Sequence, residues 1–233
     1  MRKENFPRDR LNFRHIPVLP SGATYLMQAM MDNSLNFHQV SSIIENFPSI
    51  AARLISLANS VWSSPVTPIT SLDTACARLG FDVVRSTSIA LAVASPFDPF
   101  RCPSFDAIRF WNHSLLVADT STWLSQLLQT NINNLDPQTA RTAGLVHDLG
   151  LLWLVDQLPE EADQAIHIIQ NNSTVSLDDA LLDIIGIDHF EVGKILGEAW
   201  KLPEPLIMAM SHQLLLIMIS SMRGDTKLLP VKK

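Results

Sequence analysis

Helix-breaking and helix-capping residues recur along nearly the whole sequence at intervals that suit helices. Proline, glycine, asparagine, aspartate and serine divide most of the 233 residues into segments of helical length. The alternation of polar and apolar residues that marks half-buried strands, rich in Val, Ile and Thr, is almost absent. The sequence therefore predicts an all-α protein.

Capping signals predict where individual helices begin and end. Asn36, Thr70 with Asp73, Ser104, and the pair Asp136-Pro137 each have the pattern of a helix N-terminus. Together with other caps and with Gly80 and Gly186 as stops, they predict these helices: one that starts after Ser21, 37–46, 48–59, 71–79, from 82 onward, 105–128, 138–157, 160–170, 176–185, 190–200 and one after Pro203. On the helix 105–128, core spacing predicts a buried row of Phe105, Ile108, Trp111, Leu115, Ala118 and Leu127.

The densest group of prolines predicts the main internal boundary. Residues 95–103 hold three prolines in nine residues, which favours a loop between two helical parts. We expect a polar tail over 1–14, one compact multi-helix domain over 15–219, and a second tail over 220–233. Within the domain, 15–102 would form the N-terminal half and 103–219 the C-terminal half.

Composition restricts the classes of partner and compartment. Hydrophobic residues make up 47% and charged residues 17% of the chain, which favours a folded core over disorder. The net charge of −6 gives no electrostatic drive toward phosphate backbones, so we expect no nucleic-acid partner. Two cysteines without C-x-x-C spacing, and a charged N-terminus without a following apolar segment, predict a reduced cytoplasmic protein.

One apolar stretch near the C-terminus must be weighed against a membrane span. Residues 205–222 carry no formal charge and include the run Leu214-Leu215-Leu216-Ile217-Met218-Ile219. Polar residues such as His212 and Gln213 interrupt the stretch, so we interpret it as a core helix with no membrane span. Residues 214–233 either form an exposed apolar helix that awaits a partner or fold back onto the core, and both alternatives stay open.

The dipeptide His147-Asp148 is the most informative polar pair. Adjacent residues on a helix project about 100° apart, so both side chains can reach one ion over that edge. Imidazole and carboxylate together suit zinc, manganese or iron. For an isolated pair, the alternative is a helical histidine beside an aspartate that faces solvent or caps the helix.

Three further histidines strengthen the metal interpretation. His113, His189 and His212 have apolar neighbours and fall on three other predicted helices. Bundles build metal sites from side chains that several helices direct to one centre. The alternative for each histidine is a core residue bonded to a backbone carbonyl, and we assign His15, His38 and His167 to that class.

Ordered strings along the chain resemble the HDOD family, the HD-related output domains of bacterial signalling proteins. The resemblance covers about residues 15 to 213. The strings are Ile16-Pro17-Val18-Leu19-Pro20, Ala52-Arg53-Leu54, Leu57-Ala58-Asn59-Ser60, Pro68-Ile69-Thr70-Ser71, Phe110-Trp111-Asn112-His113-Ser114, Gly144-Leu145-Val146-His147-Asp148-Leu149-Gly150, Gly186-Ile187-Asp188-His189 and Trp200-Lys201-Leu202-Pro203.

The resemblance implies a ligand set and also departures from it. HD hydrolases hold metals that activate water against phosphoesters, and by position the metal ligands here would be His113, His147, Asp148, His189 and His212. Three departures stand against hydrolysis. Leu151 occupies the place of a phosphate-facing lysine, Gln213 follows His212 where a second histidine is common, and Asp225 is a poor substitute for a distal aspartate.

Resemblance and departures together predict a non-catalytic signal-transduction module that acts through protein partners. Its degenerate HD-type pocket would bind a divalent metal (Fe, Mn or Zn) or a nucleotide-like ligand, although no cofactor is certain from the sequence. The alternative is a metal-dependent phosphohydrolase acting on a nucleotide or cyclic dinucleotide.

Overall fold

The computed structural model describes residues 16–128 and 136–211, apart from 33, 61–62, 64 and 66. Within these residues the regular elements are helices and no strand occurs, so the all-α prediction is confirmed. One 3-10 turn covers Pro99–Arg101. The α-helices are α1 (Ser21–Met30), α2 (Phe37–Ile44), α3 (Pro48–Ala58), α4 (Leu72–Leu79), α5 (Phe81–Ala94), α6 (Ala107–Leu128), α7 (Pro137–Val146), α8 (Leu149–Gln157), α9 (Pro159–Asn171), α10 (Leu177–Ile184), α11 (His189–Ala199) and α12 (Glu204–Ser211).

Side-chain caps explain most of the helix starts. The side chains of Asn36, Asp136, Ser176 and Asp188 accept hydrogen bonds from backbone N–H groups in the first turns of α2, α7, α10 and α11. These groups lack intrahelical partners, so a side-chain oxygen there fixes where the helix begins. None of the described helices combines the length and the apolar character needed to cross a bilayer.

Two predicted caps were wrong by one or two residues. Ser71, and not Thr70, caps α4, because its hydroxyl accepts a hydrogen bond from the Thr74 N–H. Asp106, and not Ser104, precedes α6, and its carboxylate accepts from the Arg109 N–H at 2.9 Å. In both places two residues close together in the sequence can cap a helix, and the sequence does not indicate at which of them the helix begins.

The buried row of α6 also differs from the predicted one. Ile108 is 76% exposed and Leu127 is 53% exposed. The buried row instead consists of Phe110, Ser114, Ala118, Ser121 and Ser125. Small residues fill this row because α7 approaches the backbone of α6 closely. A Cβ added at Gly144 of α7 would lie 2.6 Å from the Cα of Ala118.

The largest correction concerns the predicted helix over 138–157, which is two helices in the structure. Helix α7 ends at Val146 and α8 begins at Leu149. Asp148 leaves the helical region, with φ −98° and ψ 18°, a sparsely populated conformation found at many functional sites. Close packing after the break involves Gly150, where an added Cβ would lie 1.9 Å from the His189 carbonyl oxygen.

The chain folds into two compact units. One unit comprises residues 19–96 with α1 to α5, and the other, among the described residues, comprises 16–18 and 97–211 with α6 to α12. In the first unit, Arg85 is buried, donates to the Asp32 carbonyl oxygen and lies 5.0 Å from the ring centroid of Phe81. The predicted limits of the tails and of the halves 15–102 and 103–219 stay predictions.

We expect Gly144→Ala to destabilise the fold by about 1–3 kcal/mol, the usual range for overpacking. The new methyl group meets backbone atoms of Ala118, so α6 and α7 must separate. Gly197→Ala is the matched control in α11, because its Cβ meets the flexible side chain of Ile207 at 3.0 Å. Urea unfolding of both variants would measure the difference, and equal stabilities would contradict the close α6–α7 contact.

Candidate functional site

The break between α7 and α8 opens onto a cavity of about 540 Å3. The cavity lies within the second compact unit. Side chains from α6, from the α7–α8 break, and from the starts of α10 and α11 line it. The lining residues are His113, Leu116, Val117, Thr120, Ser121, Leu124, His147, Asp148, Ser176, Leu177, Asp178, His189 and Phe190.

Asp148 stands at the centre of three imidazoles. Its Oδ2 lies 3.1 Å from His147 Nε2 and 3.9 Å from His113 Nε2, and its Oδ1 lies 3.3 Å from His189 Nε2. These contacts occur where Asp148 leaves the helical region between α7 and α8. Four predicted site residues therefore converge, and the two carboxylate oxygens face different histidines.

His147 has both ring nitrogens engaged. Its Nδ1 lies 2.9 Å from the Gly144 carbonyl oxygen, which only accepts, so Nδ1 carries a proton. The other nitrogen, Nε2, faces Asp148 Oδ2, also an acceptor. Two lone pairs face each other there unless a proton or a metal ion lies between them. The site thus demands a positive charge beside Asp148.

His189 lies between two carboxylates. Its Nδ1 is 2.9 Å from Asp178 Oδ1, and its Nε2 faces Asp148. Burial opposes the charged imidazole, but the two carboxylates outweigh burial and raise the pKa of His189 to about 9. Burial likewise opposes the charged form of Asp148, yet its contacts with His147 and His189 hold the pKa of this carboxyl well below its usual range.

The predicted ligands separate into three groups. His113, His147 and Asp148 each offer one ligand atom, and these atoms lie within 4.8 Å of one another, which makes them a candidate metal cluster. His189 contacts the other oxygen of the same carboxylate, Asp148 Oδ1, and lies outside that cluster. His212 lies outside the described residues, so its place in the ligand set stays a prediction.

The donor set of the cluster fits a divalent ion. Two imidazoles and a carboxylate are the ligands that zinc, manganese and iron accept. Each of two neighbouring histidines also has its Nδ1 fixed, His147 by a backbone carbonyl and His189 by Asp178. Metal-binding histidines typically have such a second contact, which turns the other nitrogen toward the ion.

Sequence reasoning missed Asp178. Its position in the first turn of α10 resembles the many acidic residues that simply favour a helix N-terminus. Only the fold brings it against His189, eleven positions later. No spacing rule connects two residues on different helices, so the sequence held no signal for this contact.

The histidines assigned to the core class do not lie in a core. His38 is exposed on α2, and the His167 side chain is 57% exposed, with Nε2 3.1 Å from Ser104 Oγ and 3.4 Å from Asp163 Oδ2. That part of the prediction was wrong, because an amphipathic helix can carry a histidine on its polar face. Neither residue lines the cavity, and His15 lies outside the described residues.

The structure also places the first departure from the hydrolase pattern. Leu151 is buried in α8 and does not line the cavity. None of the lining residues in the described chain is lysine or arginine. The nearby buried Arg141 instead pairs with Asp119. Gln213 and Asp225 lie outside the described residues.

The raised pKa of His189 predicts a pH-dependent stability in metal-free protein. Its contribution is fully present below pH 6.5, the ordinary histidine value, and is lost as the pH rises through about 9. We expect the free energy of unfolding to fall by on the order of 2 kcal/mol across that window. Urea unfolding with a chelator present measures it. His167→Gln should keep this slope and His189→Gln should abolish it, whereas a flat wild-type profile would contradict the paired geometry.

Comparison with solved structures shows the same fold in other bacterial proteins. A candidate signal transduction protein from Marinobacter aquaeolei VT8 has a TM-score of 0.71 at 22% identity, over 88% of this chain and 49% of that one. This chain thus spans about half of that protein. An HDOD domain protein of unknown function from Geobacter sulfurreducens has a TM-score of 0.65 at 21% identity, over 93% and 77% of the two chains.

A third solved structure is a candidate phosphohydrolase from Shewanella amazonensis SB2B. Its TM-score is 0.66 at 23% identity, over 94% of this chain and 80% of that one. At such identities the likeness concerns the fold alone. The comparison with curated proteins gave no match. A family model for the HDOD domain matches residues 16–214, which include both compact units, and the chain therefore belongs to the HDOD family.

Proposed function

We propose that this HDOD protein is a non-catalytic signal-transduction module. The cavity around Asp148 holds a metal ion or ligand, and a protein partner binds according to whether the cavity is occupied. The observation that carries the proposal is the charge pattern of the cavity. Carboxylates and imidazoles line it, and none of its described lining residues is a lysine or arginine that could meet a substrate phosphate. Phosphoryl chemistry relies on such cations to stabilise developing negative charge.

A divalent ion of iron, manganese or zinc would be held by His113, His147 and Asp148. When bound, such an ion would supply the positive charge that the facing acceptors require, and it would accept an anionic group as a further ligand. Asp178 and the Gly144 carbonyl would keep the two neighbouring imidazoles in orientation. The role in this proposal is sensing, since these residues would hold a ligand while none of the described lining residues is a lysine or arginine that could stabilise charge on a leaving oxygen.

The outer face of α6 supports a partner-binding role, and we place that role in the cytoplasm because the sequence predicts a reduced protein. Leu116, Trp123 and Leu127 are all more than half exposed on this helix. Their spacing places them on one face, and Leu116 also lines the cavity. An apolar face that adjoins a ligand cavity is suited to transmit occupancy of the cavity to a bound protein.

A second candidate function is metal-dependent hydrolysis of a nucleotide or cyclic dinucleotide. The cluster of His113, His147 and Asp148 favours it, since the same residue types activate water in HD hydrolases. A phosphate-facing cation would then have to come from a residue other than the described lining residues.

Metal content and phosphoester turnover measured on the same preparations separate the two functions. We expect protein purified without chelators, then supplied with manganese, iron or zinc, to bind near one equivalent. His147→Ala should reduce uptake at least tenfold, because it removes one of three clustered ligands. We expect no turnover of nucleotide or cyclic dinucleotide phosphoesters above the metal-only blank.

The matched control is His167→Ala, which removes an exposed histidine outside the cavity and should leave uptake unchanged. Turnover that His147→Ala abolishes would contradict the non-catalytic proposal and establish the second candidate. Equal metal content in both variants would contradict metal binding at the cluster of His113, His147 and Asp148.

Partner binding through α6 is testable with one exposed aromatic residue. A protein partner should co-purify with the wild-type chain from its native cell. We expect Trp123→Ser to reduce the recovered amount of that partner at least fivefold. The control is Ile168→Ser, which removes an exposed apolar side chain from α9. Quantitative mass spectrometry of the captured proteins measures the ratio. Equal recovery with both variants would show that α6 is not the docking face.

A further inference from the structure

The cavity is far larger than a metal ion requires. A volume of about 540 Å3 falls in the range of small-molecule sites, whereas one water molecule occupies about 30 Å3. The lining residues of α6 run from His113 to Leu124, eleven positions that span about 16 Å of helix axis. The cavity therefore has a polar end at the cluster and a long arm that continues along α6.

Much of the remaining lining is apolar. Its carbon surface comes from Val117 and Leu124 on α6, Leu177 on α10 and Phe190 on α11. Thr120, Ser121 and Ser176 also line the cavity, but the hydroxyls of Thr120 and Ser176 are already used as donors, to the Leu116 carbonyl oxygen and to the Asp179 carboxylate. A ligand body beyond the polar end is met largely by carbon surface and by few free hydrogen-bond donors. Such a wall favours an apolar chain over a nucleobase, whose polar edges need partners.

Charge at the polar end restricts the head group. A divalent ion beside Asp148 leaves a net charge of about +1 in the cluster, because Asp178 faces His189 and not the cluster. A monoanion balances that charge. A phosphate monoester carries nearly two negative charges at neutral pH and would lack a second cation, since no lysine or arginine occurs among the described lining residues.

We propose that the cavity binds an elongated monocarboxylate with an unbranched apolar chain. The carboxylate lies at the His113, His147 and Asp148 end, and the chain lies along the α6 arm between Leu124 and Leu177. This inference rests on the metal site of the proposed function and deepens it, by replacing the nucleotide-like ligand predicted from the resemblance with a lipid-like acid. The chain, and not the head group, then determines which ligand the cavity selects.

Calorimetric titration of manganese-loaded protein with acetate, butanoate, hexanoate and octanoate tests the proposal. Burial of each methylene group should tighten the dissociation constant about three- to fourfold. Adenosine monophosphate should bind more weakly than octanoate. Leu177→Asn and, independently, Leu124→Asn should weaken octanoate binding at least fivefold, whereas butanoate, with its shorter chain, should change less.

Leu182→Asn is the matched control, since Leu182 lies on α10 with Leu177 but is exposed and does not line the cavity. It should bind octanoate as the wild type does, and thermal melts show whether each variant is folded. Dissociation constants independent of chain length, or tighter binding of adenosine monophosphate, would overturn the monocarboxylate while leaving the metal site in place. Failure of the wild type to take up manganese would overturn the metal site, and the monocarboxylate with it.

Discussion

One partly buried carboxylate organises this structure. Asp148 is within 4 Å of nitrogens from three imidazoles that come from α6, α11 and its own neighbour in the chain. A carboxylate removed from water costs several kcal/mol unless positive charge compensates it. The contacts of Asp148 with His147 and His189 supply that charge, which is why its pKa falls although burial acts in the opposite direction. A metal ion in the cluster would meet the same demand.

Close backbone packing holds these groups in place. Gly144 allows α7 to lie against Ala118 of α6, and Gly150 allows α8 to lie against the His189 carbonyl. A side chain at either position would collide with backbone atoms, which cannot rotate away as side chains do. The two glycines flank the break at Asp148, so close helix packing sets how near the backbones of α6 and α11 come to the carboxylate. Metal sites in helical bundles depend on rigid supports of this kind.

The sequence predicts the helices well and the breaks poorly. Caps at Asn36, Asp136 and Asp188 are local, since a side chain two or three residues away satisfies the backbone, and such signals are readable in the sequence. The turn at Asp148 has no proline or other local signal. It arises from the packing of α8 on α11, a contact between residues some forty positions apart in the chain.

The candidate site divides in the same way. The residue types at His113, His147, Asp148 and His189 come from the family pattern, and the structure brings them together. Asp178, the long arm and the exposed row on α6 could not be predicted, because each depends on which face of a helix is covered. The predicted core row of α6 is right at Ala118 and wrong at Ile108 and Leu127 for this reason: the neighbouring helix selects small residues, so those two apolar residues lie in solvent.

The central claim here is that Asp148 forms a cation site in a cavity whose described lining has no phosphate-binding cation. A crystal structure of protein grown with manganese, with anomalous scattering collected at a wavelength suited to that metal, tests this most directly. We expect one anomalous peak bonded to Asp148, His113 and His147, with no lysine or arginine side chain reaching the cavity. Absence of a peak at Asp148, with the imidazoles of His113 and His147 turned away, would contradict it, and so would a lysine of the C-terminal residues extending to the metal.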